Sequence, residues 1–189
     1  NLVLGDKLTS GDRIVLVESS GIHANGLTMA RKIADGLSEG YATKISDGRS
    51  YGEALLSPTH IYVELVRKLQ EAKIEIHYMV NVTGHGWRKL MRANRDDLAY
   101  IIENVPEYPA EFDFIKDQAN ANLEEMYGNF NMGVGFAVYV PERYADEVVA
   151  ISRSINLKAW NAGKVIDGQK SVTIKPIDVE YKSDTLGVR

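Results

Sequence analysis

Hydrophobic and polar positions along the chain fall into blocks whose period changes. Ile14-Val-Leu-Val17 is a continuous apolar run with β-branched members, the pattern of a central strand buried on both faces. Leu27, Ala30, Ile33, Ala34 and Leu37 then recur at helical spacing, with Gly36 and Gly40 as stops. Residues 43–52 are polar and Gly-rich and read as a linker. Ser57-Pro58 marks a helix start, with Ser as N-cap and Pro in the first turn; Ile61, Tyr62, Leu65, Val66 and Leu69 give it a buried stripe as far as residue 72. Ile74, Ile76, Tyr78, Val80 and Val82 alternate with Glu75, His77, Met79 and Asn81, which is the period of a strand.

Residues 87–93 look helical and 98–105 read as a strand. Pro106 and Pro109 break that strand and open a helix carrying Phe112, Ile115 and Ala119, followed by a short helical piece at 123–126. A strand at 136–140 and a helix opened by Pro141 follow. Two late strands, near 159–166 and 171–174, flank Asp167-Gly168, a hairpin-grade turn. The expected order, β-α-α-β-α-β-α-β-α-β-β, implies an α/β fold: a mixed β-sheet with flanking helices in three layers. One domain is expected over residues 1–178, with a polar tail at 179–189 that frays.

Composition narrows the function classes. The chain has 189 residues, 44% hydrophobic and 25% charged, enough for one domain with its own core. A net charge of −4 gives no electrostatic case for nucleic acid. No apolar run approaches a membrane span. The absence of Cys removes disulfides, Cys–zinc sites and thiol nucleophiles, and fits a cytoplasmic protein. The chain opens on Asn1 and polar turn residues, which reads as the middle of a longer protein.

Candidate chemistry sits in three polar glycine stretches. Ser19-Ser-Gly-Ile-His-Ala-Asn-Gly26 joins the first strand to the first helix, the arrangement by which a backbone presents N–H groups to an anion. Gly21 and Gly26 permit unusual backbone angles and close approach of a ligand, and Asn25 suits an N-cap. Ser19, Ser20, His23 and Asn25 supply hydrogen-bonding side chains. Thr83-Gly-His-Gly86 is a second strand–loop–helix junction, and two such junctions usually aim at the same sheet end. The third is Asn129-Phe-Asn-Met-Gly-Val-Gly135. An imidazole at His23 can donate to phosphate or accept a proton near neutral pH, or simply fix its own turn. Arg88 and Arg92 share a helical face, which suits either phosphate or solvent. His60 and His77 read as structural or surface residues.

The first stretch, with Met29-Ala-Arg-Lys-Ile33, resembles the S-S-G-L-H-S-N-G…R-K-I signature of aminoimidazole ribonucleotide synthase, also called phosphoribosylformylglycinamidine cyclo-ligase. In the same order, Leu55-Leu-Ser-Pro-Thr-His-Ile-Tyr-Val63 is similar to L-L-x-P-T-x-I-Y-V. Val82-Thr-Gly-His-Gly-Trp87 is similar to the T-G-G-G loop, and residues 125–135 are similar to E-M-x-R-T-F-N-M-G-x-G. The resemblance covers only the C-terminal domain of that family. It implies a three-layer α/β domain forming one wall of a cleft. The other wall is an N-terminal domain that binds most of the ATP and Mg²⁺ and makes much of a homodimer contact.

The resemblance further implies a phosphorylated small-molecule substrate. It casts His23 as the catalytic residue, and Ser19, Ser20, Gly21, Asn25, Gly26, Thr83, Gly84, His85, Gly86 and Asn131 as substrate or phosphate contacts, with no metal ligand in this half. The expected function is therefore half of an ATP-dependent cyclo-ligase of purine biosynthesis, inactive on its own. Three positions depart from the family pattern. His85 replaces a glycine, Gly128 an arginine, and Ala24 a serine. These changes leave room for a second reading, a binding or regulatory module without turnover.

Overall fold

The structure is a computed structural model and describes residues 3–186. Its elements are β1 (Arg13–Glu18), α1 (Leu27–Gly36), α2 (Tyr51–Leu55), α3 (Val63–Glu71), β2 (Tyr78–Asn81), β3 (Leu98–Ile102), α4 (Ala110–Ala119), α5 (Leu123–Asn129), β4 (Val134–Val140), α6 (Ala145–Ser154), β5 (Ala159–Asp167), β6 (Ser171–Ile174) and β7 (Val179–Lys182). The strands form one seven-stranded mixed sheet in the order β2-β4-β1-β5-β3-β6-β7, in which only β3 and β6 run parallel.

The continuous apolar run of β1 does what its pattern predicts. Ile14 and Leu16 point into one core, shared with α1, α2, α4 and α5. Val15 and Val17 point into the other, shared with α3 and α6. Two helical layers therefore cover the two sheet faces, and the expected three-layer α/β architecture is the one observed. His77 is buried as a structural residue, its Nδ1 2.7 Å from Asp12 Oδ2.

Several local expectations are overturned. The helix read from Ser57-Pro58 begins only at Val63. Residues 57–62 stay irregular because tertiary hydrogen bonds outweigh the capping signal. The Pro58 carbonyl accepts the Ser20 hydroxyl, and the Tyr62 hydroxyl donates to the Glu18 carbonyl at 2.7 Å. Tyr62 is thereby drawn inward to stack on Phe136, ring centres 5.0 Å apart, whereas Ile61, placed in the buried stripe by its spacing, faces solvent. The linker at 43–52 is ordered: Ser50 and Glu53 form a reciprocal capping box that starts α2. The strand expected from 74 to 82 pairs only over Tyr78–Asn81, and residues 86–91 form a 3₁₀ turn.

The late hairpin is absent as well. β3 lies between β5 and β6, so Asp167-Gly168 passes under the start of β3, where Gly168 N–H donates to the Asp97 carbonyl at 3.1 Å. All five residues of β3 are buried, so the strand needs a neighbour on each edge and cover on each face.

The segment expected to fray from residue 179 begins instead with a strand. Val179 and Tyr181 are buried while Glu180 and Lys182 are exposed, and this short alternation adds β7 to the sheet. Residues 187–189 of the expected tail lie outside the described residues. The Tyr181 hydroxyl donates to the Glu124 carbonyl, and the Arg88 guanidinium stacks over its ring at 4.7 Å. Tyr181→Ala is expected to cost about 3 kcal/mol, the usual loss for deleting a buried aromatic side chain. Urea denaturation measures it, and a loss below roughly 0.5 kcal/mol, typical of surface sites, would return the tail to a frayed segment.

Candidate functional site

The register brings the three glycine stretches together. Glu18 at the end of β1 pairs with Val134 at the start of β4, and Asn81 at the end of β2 pairs with Phe136. The loops that follow β1 and β2, and the one that precedes β4, thus meet at one sheet end, as the two-junction pattern predicts.

Asn131 is the junction. It is fully buried. Its Nδ2 donates to the Gly21 and Ile22 carbonyls at 2.9 and 3.2 Å, and its Oδ1 accepts from the Ser19 hydroxyl and from Gly133 N–H, both at 3.1 Å. Its carbonyl accepts the Trp87 indole N–H at 2.8 Å. The side chain expected to contact the substrate is therefore spent on the protein. Asn25 is spent only in part: it is buried, its Nδ2 donates to the Ile22 carbonyl at 3.0 Å and the Val82 carbonyl at 3.4 Å, its Oδ1 has no partner, and it caps nothing. The N-cap of α1 is Gly26, at φ +61°, with no side-chain hydrogen bond.

The glycines serve the same packing. A Cβ on Gly26 would collide with the Phe130 ring, and one on Gly86 with the Tyr127 carbonyl; both residues have positive φ. The close approach expected of a ligand at Gly26 is made by the protein itself, and Gly86 is likewise packed against the protein. Gly21 and Ser19 are also buried. The members of the expected set that reach solvent are Ser20, His23, Gly26, Thr83, Gly84 and His85.

His23 is half-buried at φ +52°, inside a closed turn. Its Nε2 accepts Ser20 N–H at 3.1 Å and His60 N–H at 3.4 Å. Two backbone donors on Nε2 assign the ring proton to Nδ1. Burial, and then the neighbouring His60 imidazole, lower its pKa from 6.5 to about 4. The ring is neutral at pH 7, with Nε2 committed to the turn, so the proton-accepting role expected of it is closed on that nitrogen. His85 is exposed, at φ +79°. Its imidazole leaves the loop interior clear, and its backbone angle is one that a glycine would occupy without strain.

Sequence reasoning missed the stretch from 57 to 62 and a buried ion pair. Glu111 on α4 is fully buried, and its Oε2 accepts Arg49 Nη2 at 2.8 Å from the supposed linker. Its Oε1 has no partner and faces Gly21. Burial raises the Glu111 pKa, partly offset by Arg49. Only the apolar neighbours of Glu111 in the sequence hint at its burial. Arg88, read as a phosphate or solvent residue, is turned inward. Nη1 donates to the Gly128 carbonyl at 2.7 Å, and the guanidinium lies 2.9 Å from where a Cβ on Gly128 would stand. The space of the side chain missing at 128 is filled by the arginine at 88.

Two outcomes follow. Because the folded-state pKa of His23 lies below its ordinary value, the unfolded chain takes up the proton first. This contribution is complete above about pH 6.5 and is lost as pH falls toward 4. His23→Asn, which tolerates the left-handed backbone, should flatten that acid limb by on the order of 2 kcal/mol in urea titrations at successive pH values. A His23 ring that titrates above pH 6 by NMR contradicts the assignment. His85→Gly should gain roughly 0.5–1 kcal/mol by the same denaturation measurement.

Among the described residues, no helix is long and apolar enough to cross a membrane. The family model for the AIR synthase related protein, C-terminal domain, matches residues 9–175. A phosphoribosylformylglycinamidine cyclo-ligase of Methanococcus vannielii is 37% identical over 186 residues, covering 98% of this chain and 51% of the relative. One of Methanocaldococcus jannaschii is 39% identical over 168 residues, covering 88% and 48%. The chain thus spans about half the length of the curated relatives it matches. Among solved structures, the E. coli hydrogenase maturation protein HypE superposes with a TM-score of 0.62 at 16% identity, covering 98% of this chain and 53% of that one. Thiamine-monophosphate kinase of Stenotrophomonas maltophilia gives 0.60 at 18% identity, covering 94% and 54%. These likenesses show the fold, and the profile and sequence matches show the family: the chain belongs to the AIR synthase related proteins, as their C-terminal domain.

Proposed function

We propose that this chain is the substrate-phosphate wall of an ATP-dependent cyclo-ligase that converts formylglycinamidine ribonucleotide to aminoimidazole ribonucleotide with release of ADP and phosphate, a cytoplasmic step of purine biosynthesis. The observation that carries the reading is the loop 19–26. It is a turn ending on a ten-residue helix whose first N–H groups have no side-chain cap, at the sheet end where the other two glycine-containing loops converge. Such an end favours a phosphate. The names of the sequence relatives supply the reaction.

In this reading the chain's own groups bind and orient. The N–H groups at the start of α1 hold the substrate phosphate, and His23 donates from Nδ1 as a neutral ring. The exposed Thr83–His85 backbone closes the opposite side. ATP supplies the phosphoryl group that makes the amide oxygen a leaving group, so that an internal nitrogen can close the ring. Among the described residues no three His, Asp or Glu side chains are grouped to hold a metal ion; in this reading Mg²⁺ would be held by the second domain. A homodimer would likewise rest mainly on that domain. The departures that favour a binding module have local accounts: Arg88 fills the space beside Gly128, and His85 faces solvent.

The test is ADP release by the natural polypeptide that carries this domain, with Mg-ATP, with and without formylglycinamidine ribonucleotide. Substrate-dependent ADP and an aminoimidazole product are expected, with none from the 189-residue chain alone. ATP hydrolysis indifferent to that substrate would direct the site to another phosphorylated amide.

A further inference from the structure

Six large hydrophobic side chains are exposed among the described residues, and three of them flank the irregular stretch beside the site: Leu56 (82% exposed), Ile61 (78%) and Val63 (72%). Beside them His60, Tyr62, Val66, Asn81 and Phe136 line an open cleft of about 600 Å³. Isolated exposed apolar residues are ordinary, but a cluster bordering a cleft marks a contact surface. The inward side of the same stretch holds the loop 19–26 at three points: Pro58 through the Ser20 hydroxyl, His60 N–H through His23 Nε2, and Tyr62 through the Glu18 carbonyl. The eight residues 56–63 thus present three large apolar groups outward while clamping the site inward.

We infer that Leu56, Ile61 and Val63 form the docking strip for a second domain of the same longer polypeptide, and that its docking holds residues 57–62 in the conformation that closes the turn around His23. The occupant is indicated by length. The match spans 98% of this chain but 51% of the relative, and the matched model is a C-terminal domain, so a comparable length of the relative lies upstream of it. The inference rests on the two-domain part of the proposal above, and adds where the domains meet and which loop that contact controls.

Hydrogen exchange reads it directly, comparing the natural polypeptide with the 189-residue chain. Amides 59–63 and 20–23 should exchange at least about tenfold more slowly in the longer polypeptide. Ile61→Asp with Val63→Asp should abolish that difference while leaving the melting temperature of the 189-residue chain within about 2 °C, since both side chains are exposed. Equal exchange of these amides in the two wild-type proteins overturns the inference whatever the variant does. So does a polypeptide with no second domain, or strip protection that appears only on dimerisation of the 189-residue chain. The readout is separate from catalysis: protection without an aminoimidazole product keeps the docking strip and removes the cyclo-ligase reading, and product without protection does the reverse.

Discussion

The site depends on one buried amide. Asn131 joins the ends of three loops with both halves of its side chain and with its carbonyl, and none of these bonds reaches solvent. A fully satisfied buried network of this kind is rigid because every alternative leaves a polar group unpaired in a place water cannot reach. Ser19, Gly21, Ile22, Trp87 and Gly133 have their positions set through it. The part of the site that reaches solvent, Ser20, His23, Gly26 and Thr83 to His85, is thus carried on a frame that has little freedom of its own.

That frame explains why polar and glycine-rich loops here are mostly scaffold. Phe130 packs where a Cβ on Gly26 would stand, and the Tyr127 carbonyl does the same at Gly86. The glycines let loop press on loop, and the few groups left over face outward. His23 follows the same logic. Two backbone donors and partial burial hold it neutral, which suits a fixed hydrogen-bond donor better than a group that must gain and lose a proton. Glu111 adds a stiffener behind Gly21, where Arg49 offsets part of the cost of a buried carboxylate.

How much of this was legible in the sequence follows from the range of the interactions. β1, α1, α4, α6 and the three layers were readable because each rests on periodicity within its own segment. The convergence of the loops was readable because strand–loop–helix units have a fixed polarity. The start of α3, the placement of β3 between β5 and β6, and the docking of β7 were not. Each is decided by a partner far along the chain: Glu18 for Tyr62, Ser171 for Ala99, Glu124 for Tyr181. The residue types in the site were also legible, but not their direction. A buried Asn that knits loops and an exposed Asn that meets a ligand have the same local sequence signature.

The position at 128 shows what this means for judging a departure from a family pattern. Counted along the sequence, an arginine is missing. Counted in space, a guanidinium is present. Arg88 reaches across from the second loop, donates to the carbonyl of residue 128 and fills the volume into which a side chain there would grow. Its Nε is buried without a partner, and its charge sits over Tyr181, so it stabilises the union of α5 with β7 and does not offer itself to a ligand. A side chain starting from residue 128 would point the same way. In this chain the guanidinium beside residue 128 therefore comes from residue 88, and it is spent on the Gly128 carbonyl and the Tyr181 ring. A loss of activity in this chain, if it exists, has to be sought among the groups that reach solvent.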